Sequence, residues 1–140
     1  MTAGSFALAF ASALAGAGLY VNGVEQPARL TLDDEAMLKE WGPSDRRGVA
    51  LMAVLALLAA IAGLSAFFET NDVRFALGGV LALASWPYSL FAMAPVNNQI
   101  IALAPKDLGA ARALVWQWGV LEYGQTGIAL AAAATFLWAL

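Results

Sequence analysis

Long stretches without a charged residue constrain this chain more than any other feature of its sequence. Residues 2–24, 48–68 and 75–105 contain no Asp, Glu, Lys or Arg, and residues 113–140 contain only Glu122. A helix needs about 20 apolar residues to cross the roughly 30 Å hydrocarbon core of a bilayer. Backbone groups in lipid must be hydrogen-bonded within their own segment, which favours helices, and no stretch alternates with a period of two. The sequence therefore predicts four membrane-spanning helices.

The composition excludes most soluble classes of protein. Apolar residues make up 61% of the 140 residues and charged residues 12%, against about 45–50% and about 25% in soluble domains. A soluble domain of this size cannot bury so much apolar surface. The chain has no cysteine and no histidine, so thiol chemistry and the commonest general base and metal ligand are excluded. We therefore expect no metal site, and with a net charge of −3 and no basic run we expect no nucleic-acid partner.

We predict an all-α fold, a four-helix transmembrane bundle that forms a single integral membrane domain over residues 1–140. The spans are placed near residues 4–24, 48–69, 74–94 and 108–140. The first segment lacks the basic start of a signal peptide, so we expect it to remain as a membrane span.

The longest polar linker runs over residues 27–47. Within it, Thr31-Leu32-Asp33-Asp34 predicts the start of a short helix, because threonine caps and acidic residues favour the positive end of the helix dipole. Leu38 and Trp41 share one face, which suits a helix lying on the membrane surface. Gly42 and Pro43 predict its end. We therefore expect a short interfacial helix in the first loop.

The distribution of basic residues predicts the orientation of the bundle. Cytoplasmic loops of membrane proteins carry an excess of Lys and Arg. Only Arg74 lies on the side of the second loop, whereas the side of the first and third loops carries Arg29, Lys39, Arg46, Arg47, Lys106 and Arg112. We therefore predict a multi-pass protein of the bacterial inner membrane with its first and third loops in the cytoplasm.

Polar and aromatic residues gather where the predicted spans approach the first and third loops. Glu25 stands at the end of the first span, Trp86 lies within the third, and Glu122 lies within the fourth. Because successive spans alternate in direction, these positions fall at the same end of the bundle, and the opposite half is almost purely aliphatic. An ionisable residue inside a span is costly and indicates a functional site. The candidate site residues are Tyr20, Asn22, Glu25, Arg29, Trp86, Tyr88, Asn97, Asn98, Arg112, Trp116, Trp118, Glu122 and Tyr123.

Structural explanations also exist for these residues. Trp and Tyr near helix ends commonly form belts at the membrane interface, and basic residues commonly set topology. Glu122 would then form an internal salt bridge that fixes the register of its helix. The convergence of two acids, several arginines and at least three aromatic residues at one end favours a site instead.

The same residues carry a resemblance to a known family. The run over residues 18–29, which reads GLYVNGVEQPAR, resembles the first signature of the anthrone oxygenase-like family. Residues 41–47 (WGPSDRR) resemble its second signature, and residues 118–122 (WGVLE) resemble its fourth. Trp86-Pro87-Tyr88, followed by Pro95 and Asn97-Asn98, resembles the third. The resemblance spans most of the chain and implies the same four-helix layout.

Fungal members of that family oxidise anthrones to anthraquinones, so the resemblance implies a cofactor-independent oxidation or binding of a hydrophobic aromatic or quinone-like molecule. A base would remove an acidic C–H proton, and the enolate would then react with oxygen directly. Glu25 or Glu122 would be the base. Family members often carry histidine where this chain has Gln26 and Glu122, and if histidine is the base in them, Glu122 takes that role here. The resemblance further implies that Arg29 or Arg112, with Tyr20 and Tyr88, stabilises the enolate oxygen. The residues that would bind the substrate are Asn22, Trp86, Asn97, Asn98, Trp116, Trp118 and Tyr123.

A second interpretation is a non-enzymatic membrane protein that binds lipid or serves as an accessory subunit of a membrane complex. It predicts a polar cluster fully used in internal ion pairs and no cavity, whereas the first interpretation predicts a cavity near Trp86. Membrane lipid is an expected partner in both cases. A homo-oligomer or a larger complex is compatible with the many small residues in the spans.

Overall fold

The computed structural model describes residues 2–103 and 108–140, which form four long helices and no strand. Helix α1 spans Ala3–Arg29, α2 spans Asp34–Thr70, α3 spans Val73–Leu103 and α4 spans Ala111–Ala139. The predicted all-helical fold is therefore confirmed. Lys106, one of the residues used above to predict orientation, lies outside the described residues.

Three of the helices, α1, α2 and α3, are long and apolar enough to cross a membrane. Helix α4 has 29 residues, which is also sufficient in length. It does not reach the same apolarity, because Glu122 and Gln125 lie within it. Instead, α4 packs against both α1 and α3.

The four helices form a square in which α1 and α3 each pack against α2 and α4. A two-residue connection joins α2 to α3: Asn71 adopts a left-handed conformation (φ 57°) that ends α2, and the Asp72 side chain caps α3. Both ends of the described chain lie beside this connection, where the Arg74 guanidinium donates to the Trp138 carbonyl. We call the opposite end, which carries residues 30–33 and 108–110, the polar end.

The half of the bundle away from the polar end is apolar, as predicted. The Phe136 ring packs directly on Gly63 and Gly78, where a Cβ atom would come within 2.7 Å and 2.5 Å of the ring. Phe75 fills the corresponding place over Gly4 and stacks on Phe136 with ring centroids 6.5 Å apart. Glycine thus lets large rings enter between the helices, and close packing is what holds helices together in lipid.

The helices extend further toward the polar end than predicted. The prediction of a separate interfacial helix is wrong, because α2 runs without a break from Asp34 through Pro43 to Thr70. Pro43 lies on the exposed side of the helix, where the backbone carbonyl that loses its donor can meet solvent. Met37 and Trp41 are buried against α3 and α4 instead of facing a membrane surface. These contacts stabilise the helix through the proline.

Proline does not end α3 either. The third span was expected to stop near residue 94, but α3 continues past Pro95 to Leu103. A π-helical segment, Ser89–Met93, lies between Pro87 and Pro95, and another, Val21–Glu25, precedes Pro27 in α1. A π-turn re-pairs backbone groups when the regular pattern is interrupted. As a result, α3 carries Asn97 into the bundle.

Candidate functional site

A cavity of about 310 Å³ lies inside the bundle toward the polar end, and all four helices contribute to its wall. Most of the wall is apolar or aromatic and includes Met52, Trp86, Met93 and Trp118. Ligand pockets typically combine such a wall with a few polar groups. The polar side chains that line it are Glu25, Ser44, Asp45, Ser85, Ser89, Asn97, Glu122 and Gln125.

Glu122 lies on the face of α4 that lines this cavity. Trp118, Glu122 and Gln125 follow one another at i, i+4 and i+7, which places them on one side of the helix. Glu122 is 5% exposed, and its Oε1 atom has no hydrogen-bond partner among the described residues. It forms no ion pair there either. The internal salt bridge considered for Glu122 is therefore absent from the described ranges.

Two further cavity-lining residues carry buried polar atoms without a partner. They are the Asn97 Oδ1 and Gln125 Oε1 atoms. Buried polar groups in folded proteins are nearly always hydrogen-bonded, and an unpaired group calls for an explanation. With Glu122 Oε1, three acceptors around a single cavity are left for a bound molecule to satisfy.

Arg29 lies behind the cavity wall and is 1% exposed at its side chain. Its guanidinium forms ion pairs with Glu40 and with Glu25, the latter at 2.6 Å from Nη2 to Oε1, and donates to Ser44 Oγ at 3.1 Å. The same group lies over the Trp118 ring, 5.2 Å from its centroid. Arg29 therefore holds Glu25 and Trp118 in the wall and does not itself face the cavity.

Asp45 is a site residue that the sequence prediction missed. It lines the cavity and accepts a hydrogen bond of 3.1 Å from Asn97 Nδ2, which joins α2 to α3. Trp41, Asp45, Gly48 and Met52 recur at helical spacing on one face of α2. This spacing places residues on one face only if the segment is helical, and the prediction assigned residues 42–47 to a loop. Recognising the helical spacing would have identified Asp45 as a residue on the same face.

Two buried amides fasten α1 to α4 beside the cavity. Asn22 Nδ2 donates to Thr126 Oγ1 at 2.7 Å, and Gln26 Nε2 donates to the Val115 carbonyl at 2.8 Å. Gly119 leaves the room for Gln26, because a Cβ atom there would overlap its side chain. Asn22, predicted to bind substrate, is thus engaged in helix packing.

Tyr88 and Arg112 also serve to join structural elements. The Tyr88 hydroxyl donates to the Leu121 carbonyl at 2.7 Å across the seam between α3 and α4. Arg112 pairs with Asp34 at 2.8 Å and donates to the Leu30 and Leu32 carbonyls, which secures the connection between α1 and α2. Neither residue lines the cavity.

The structure does not bring the remaining predicted residues to the cavity. Tyr20, Asn98, Trp116 and Tyr123 are exposed on the outside of the bundle. Tyr20 lines an outer groove between α1 and α2, which adjoins the cavity and shares five of its lining residues. The predicted residues that meet at the cavity are Glu25, Trp86, Asn97, Trp118 and Glu122.

The described residues contain no cluster of three or more His, Cys, Asp or Glu side chains that could hold a metal ion. The unpaired groups of the cavity are oxygen acceptors from Asn97, Glu122 and Gln125. Their arrangement suits an organic molecule with a polar atom on an apolar frame.

Similarity to known proteins covers most of the residues that line the cavity. A family model described as anthrone oxygenase matches residues 41–135. The chain belongs to the anthrone oxygenase family. An anthrone oxygenase of Claviceps purpurea (strain 20.1) is 31% identical over 144 aligned residues, which cover 91% of this chain and 82% of the relative. No solved structure matches the chain.

The match to the anthrone oxygenase family confirms the resemblance seen in the sequence motifs. The matched range includes every cavity-lining residue except Val21 and Glu25. The first of the four motifs, residues 18–29, lies before it, but the alignment to the fungal anthrone oxygenase extends over most of the chain.

Proposed function

We propose that the cavity binds a flat, hydrophobic aromatic ketone of the anthrone type and that Glu122 takes a proton from it. The observation that carries this proposal is the unpaired Oε1 atom of Glu122 in a mostly apolar cavity. A cavity of about 310 Å³ is within the range of about 300–1,000 Å³ for small-molecule pockets. The family and the fungal relative support the choice of substrate.

The proposed reaction consumes one molecule of oxygen and needs no other oxidant. Glu122 removes a proton from the methylene carbon opposite the ketone, and the electron pair of that C–H bond enters the ring system as an enolate. The carbon then forms a bond to O₂, and a proton completes a hydroperoxide. Loss of the second hydrogen of that carbon, together with cleavage of the O–O bond, leaves a carbonyl and releases water. The anthrone is oxidised to an anthraquinone, and O₂ is reduced.

Other cavity residues have roles that follow from their position. The Trp118 indole lines the cavity with its N–H next to the Asp45 carboxylate and adds a second aromatic surface to the wall. Trp86 offers a flat surface against which an aromatic ring stacks. Arg29 acts as a positioning residue through its contacts with Glu25 and Trp118.

Replacement of Glu122 tests this proposal. The protein is purified into lipid nanodiscs and supplied with anthrone, while oxygen uptake and anthraquinone absorbance are recorded. Glu122→Gln keeps the shape but cannot accept the proton, so the rate should fall by about 100-fold or more. Glu69→Gln, an exposed carboxyl at the opposite end of α2, is the matched control and should leave the rate unchanged.

Binding is followed separately, by the change in tryptophan fluorescence when anthrone is added. Glu122→Gln should still bind anthrone, because the apolar wall is intact. Undiminished oxidation by Glu122→Gln would rule out Glu122 as the base. A wild-type protein that neither binds nor oxidises anthrone would favour the non-enzymatic interpretation, which the internal ion pairs of Arg29 fit.

We also propose that the polar end faces the cytoplasm of a bacterial cell. The support is the position of Lys39, Arg46 and Arg47, which are exposed at that end of α2, since Lys and Arg are enriched in cytoplasmic segments. The cavity would then lie in the cytoplasmic half of the inner membrane.

A further inference from the structure

The cavity reaches the outer surface of the bundle between α2 and α3. Val49, Trp86 and Leu90 line the cavity and are also exposed on the outside, by 45%, 42% and 67%. Other exposed residues of the same two helices, including Val54 and Phe91, are apolar. This surface belongs to two helices that are apolar enough to cross a membrane. The opening between α2 and α3 therefore faces the region of the lipid chains.

Two of the other seams are crossed by side-chain hydrogen bonds beside the cavity. These join Asn22 to Thr126 between α1 and α4, and Tyr88 to the Leu121 carbonyl between α3 and α4, and none of these residues lines the cavity.

The seam between α1 and α2 carries the outer groove, which shares five residues with the cavity wall, including Glu25 and Ser44. Ser44 donates to Glu25 across this seam. The groove is also lined by the charged residues Lys39, Glu40 and Arg47, so it does not suit a ligand that dissolves in lipid.

The two ends of the cavity are closed by packed side chains. Toward the polar end, Met37, Trp41 and Ile100 belong to one buried cluster with residues of α4. Toward the apolar half, Leu14 and Ala56 belong to another. Among the described residues, neither end offers the exposed lining that the seam between α2 and α3 shows.

Two hydrogen bonds frame the opening between α2 and α3. Asn97 donates to Asp45 on the side of the polar end, and the Trp86 indole donates to the Ala53 carbonyl at 3.3 Å on the deeper side. Asp45 and Ala53 are eight residues apart, which is about 12 Å along a helix. That length admits the edge of a flat ring system.

We infer that the ligand enters and leaves the cavity sideways, from the lipid, through this lateral opening, which we define by Val49, Ala53, Trp86 and Leu90. The inference rests on the proposed function and narrows its substrate to molecules that dissolve in the bilayer. Arg47, the last charged residue of α2 before the apolar stretch, precedes Val49 by two residues, or about 3 Å. The opening thus lies just below the membrane boundary, where an aromatic ketone places its oxygen near water and its rings in lipid.

Trp86 forms the adjustable wall of the lateral opening. Its single hydrogen bond to the Ala53 carbonyl is long, at 3.3 Å, and a neutral bond of this kind contributes little free energy. A change of the Trp86 rotamer therefore widens the opening without separating the helices. A bulky side chain at Val49 would narrow it from the opposite side.

Narrowing the opening tests this route. The variant Val49→Phe is compared with Val54→Phe, its matched control, since Val54 is 54% exposed on the same helix and does not line the cavity. Both proteins are reconstituted in nanodiscs, and stopped-flow tryptophan fluorescence gives the association rate of anthrone. We expect Val49→Phe to slow association by about 10-fold or more and Val54→Phe to stay within twofold of wild type.

A second pair of variants guards against a folding defect in the first. Leu90 lies on the α3 side of the opening and is 67% exposed, whereas Leu77, 47% exposed on the same helix, does not line the cavity. Leu90→Phe should slow association, whereas Leu77→Phe should not. Wild-type association rates in both Val49→Phe and Leu90→Phe would overturn the lateral route.

Ligands with different partition coefficients distinguish entry from the bilayer from entry from water. At equal free aqueous concentration, an alkyl-substituted anthrone that partitions more strongly into lipid should associate faster, in proportion to its concentration in the membrane. An association rate that is the same for both ligands at equal aqueous concentration contradicts the inference. Because the readout is binding, a protein that binds anthrone sideways without oxidising it would refute the proposed reaction and retain the route.

Discussion

Two acidic side chains that line the cavity differ in what surrounds them. The Glu25 carboxylate is paired with Arg29 and accepts from Ser44, so its charge is compensated within the protein. Glu122 has no such partner in the described part of the chain and keeps one oxygen unpaired. Both were predicted from the rarity of acids in membrane spans. Only the packing of four helices decides which of the two is free to react.

Replacing Arg29 should destabilise the protein. Arg29→Met leaves the carboxylates of Glu25 and Glu40 without their cation, and breaking a buried ion pair from one side costs about 3–5 kcal/mol. We expect about 3 kcal/mol, because Glu40 is partly exposed to solvent. Unfolding in mixed detergent micelles measures the free energy.

Arg46→Met is the control, since Arg46 is exposed at the same end of α2. Adding Glu25→Gln and Glu40→Gln to Arg29→Met should recover part of the loss, because no unpaired charge is left. A destabilisation by Arg29→Met no greater than that of Arg46→Met would show that the network contributes nothing measurable.

At the scale of the helices, the sequence predicted their number and class but not their ends. Uncharged stretches placed all four helices, because the bilayer dictates the length of a span. Proline and polar residues were taken as ends of helices at Pro43 and Pro95, yet both helices continue. The contacts that sustain them, such as Trp41 against Trp118 at 6.2 Å between ring centroids, join residues far apart in sequence. No local sequence pattern could reveal these contacts. Asp45 was therefore missed as a site residue.

The packing of Phe136 offers a test at this scale. Phe136 is fully buried against Gly63 and Gly78, and removing a buried ring costs about 3–5 kcal/mol. Phe136→Ala should therefore lower stability by about 3 kcal/mol in detergent unfolding. Phe68→Ala removes a ring that is exposed on α2 and should change little. Equal effects would mean that the glycine contacts do not hold α2, α3 and α4 together.

At the scale of the whole molecule, polarity is divided between the two ends of the bundle. The apolar half is packed with alanine, glycine and phenylalanine, whereas the polar half contains the cavity and the Arg29 network. This division was predictable, because it follows from where the few charged residues stand along four alternating helices. The position of the cavity opening could not be predicted, because it depends on which residues are exposed on the outer surface and also line the cavity.

The proposed orientation can be tested on α2 alone. The chain has no cysteine, so Glu35→Cys and Glu69→Cys place single thiols at exposed positions near the two ends of this helix. A membrane-impermeant maleimide added to intact bacterial spheroplasts should label Glu69→Cys, and Glu35→Cys only after lysis. The reverse pattern would contradict a cytoplasmic polar end. Labelling of both thiols before lysis would contradict a membrane crossing by α2.

The weak apolarity of α4 bears on how the protein is assembled. A helix that carries an acidic residue enters lipid at a considerable cost when it is alone. Helices α1, α2 and α3 are synthesised first and are each apolar enough to insert. They present a groove between α1 and α3, in which α4 packs. Packing in this groove buries Glu122 among the other helices, so the bundle itself lowers the cost of carrying a carboxyl group in α4.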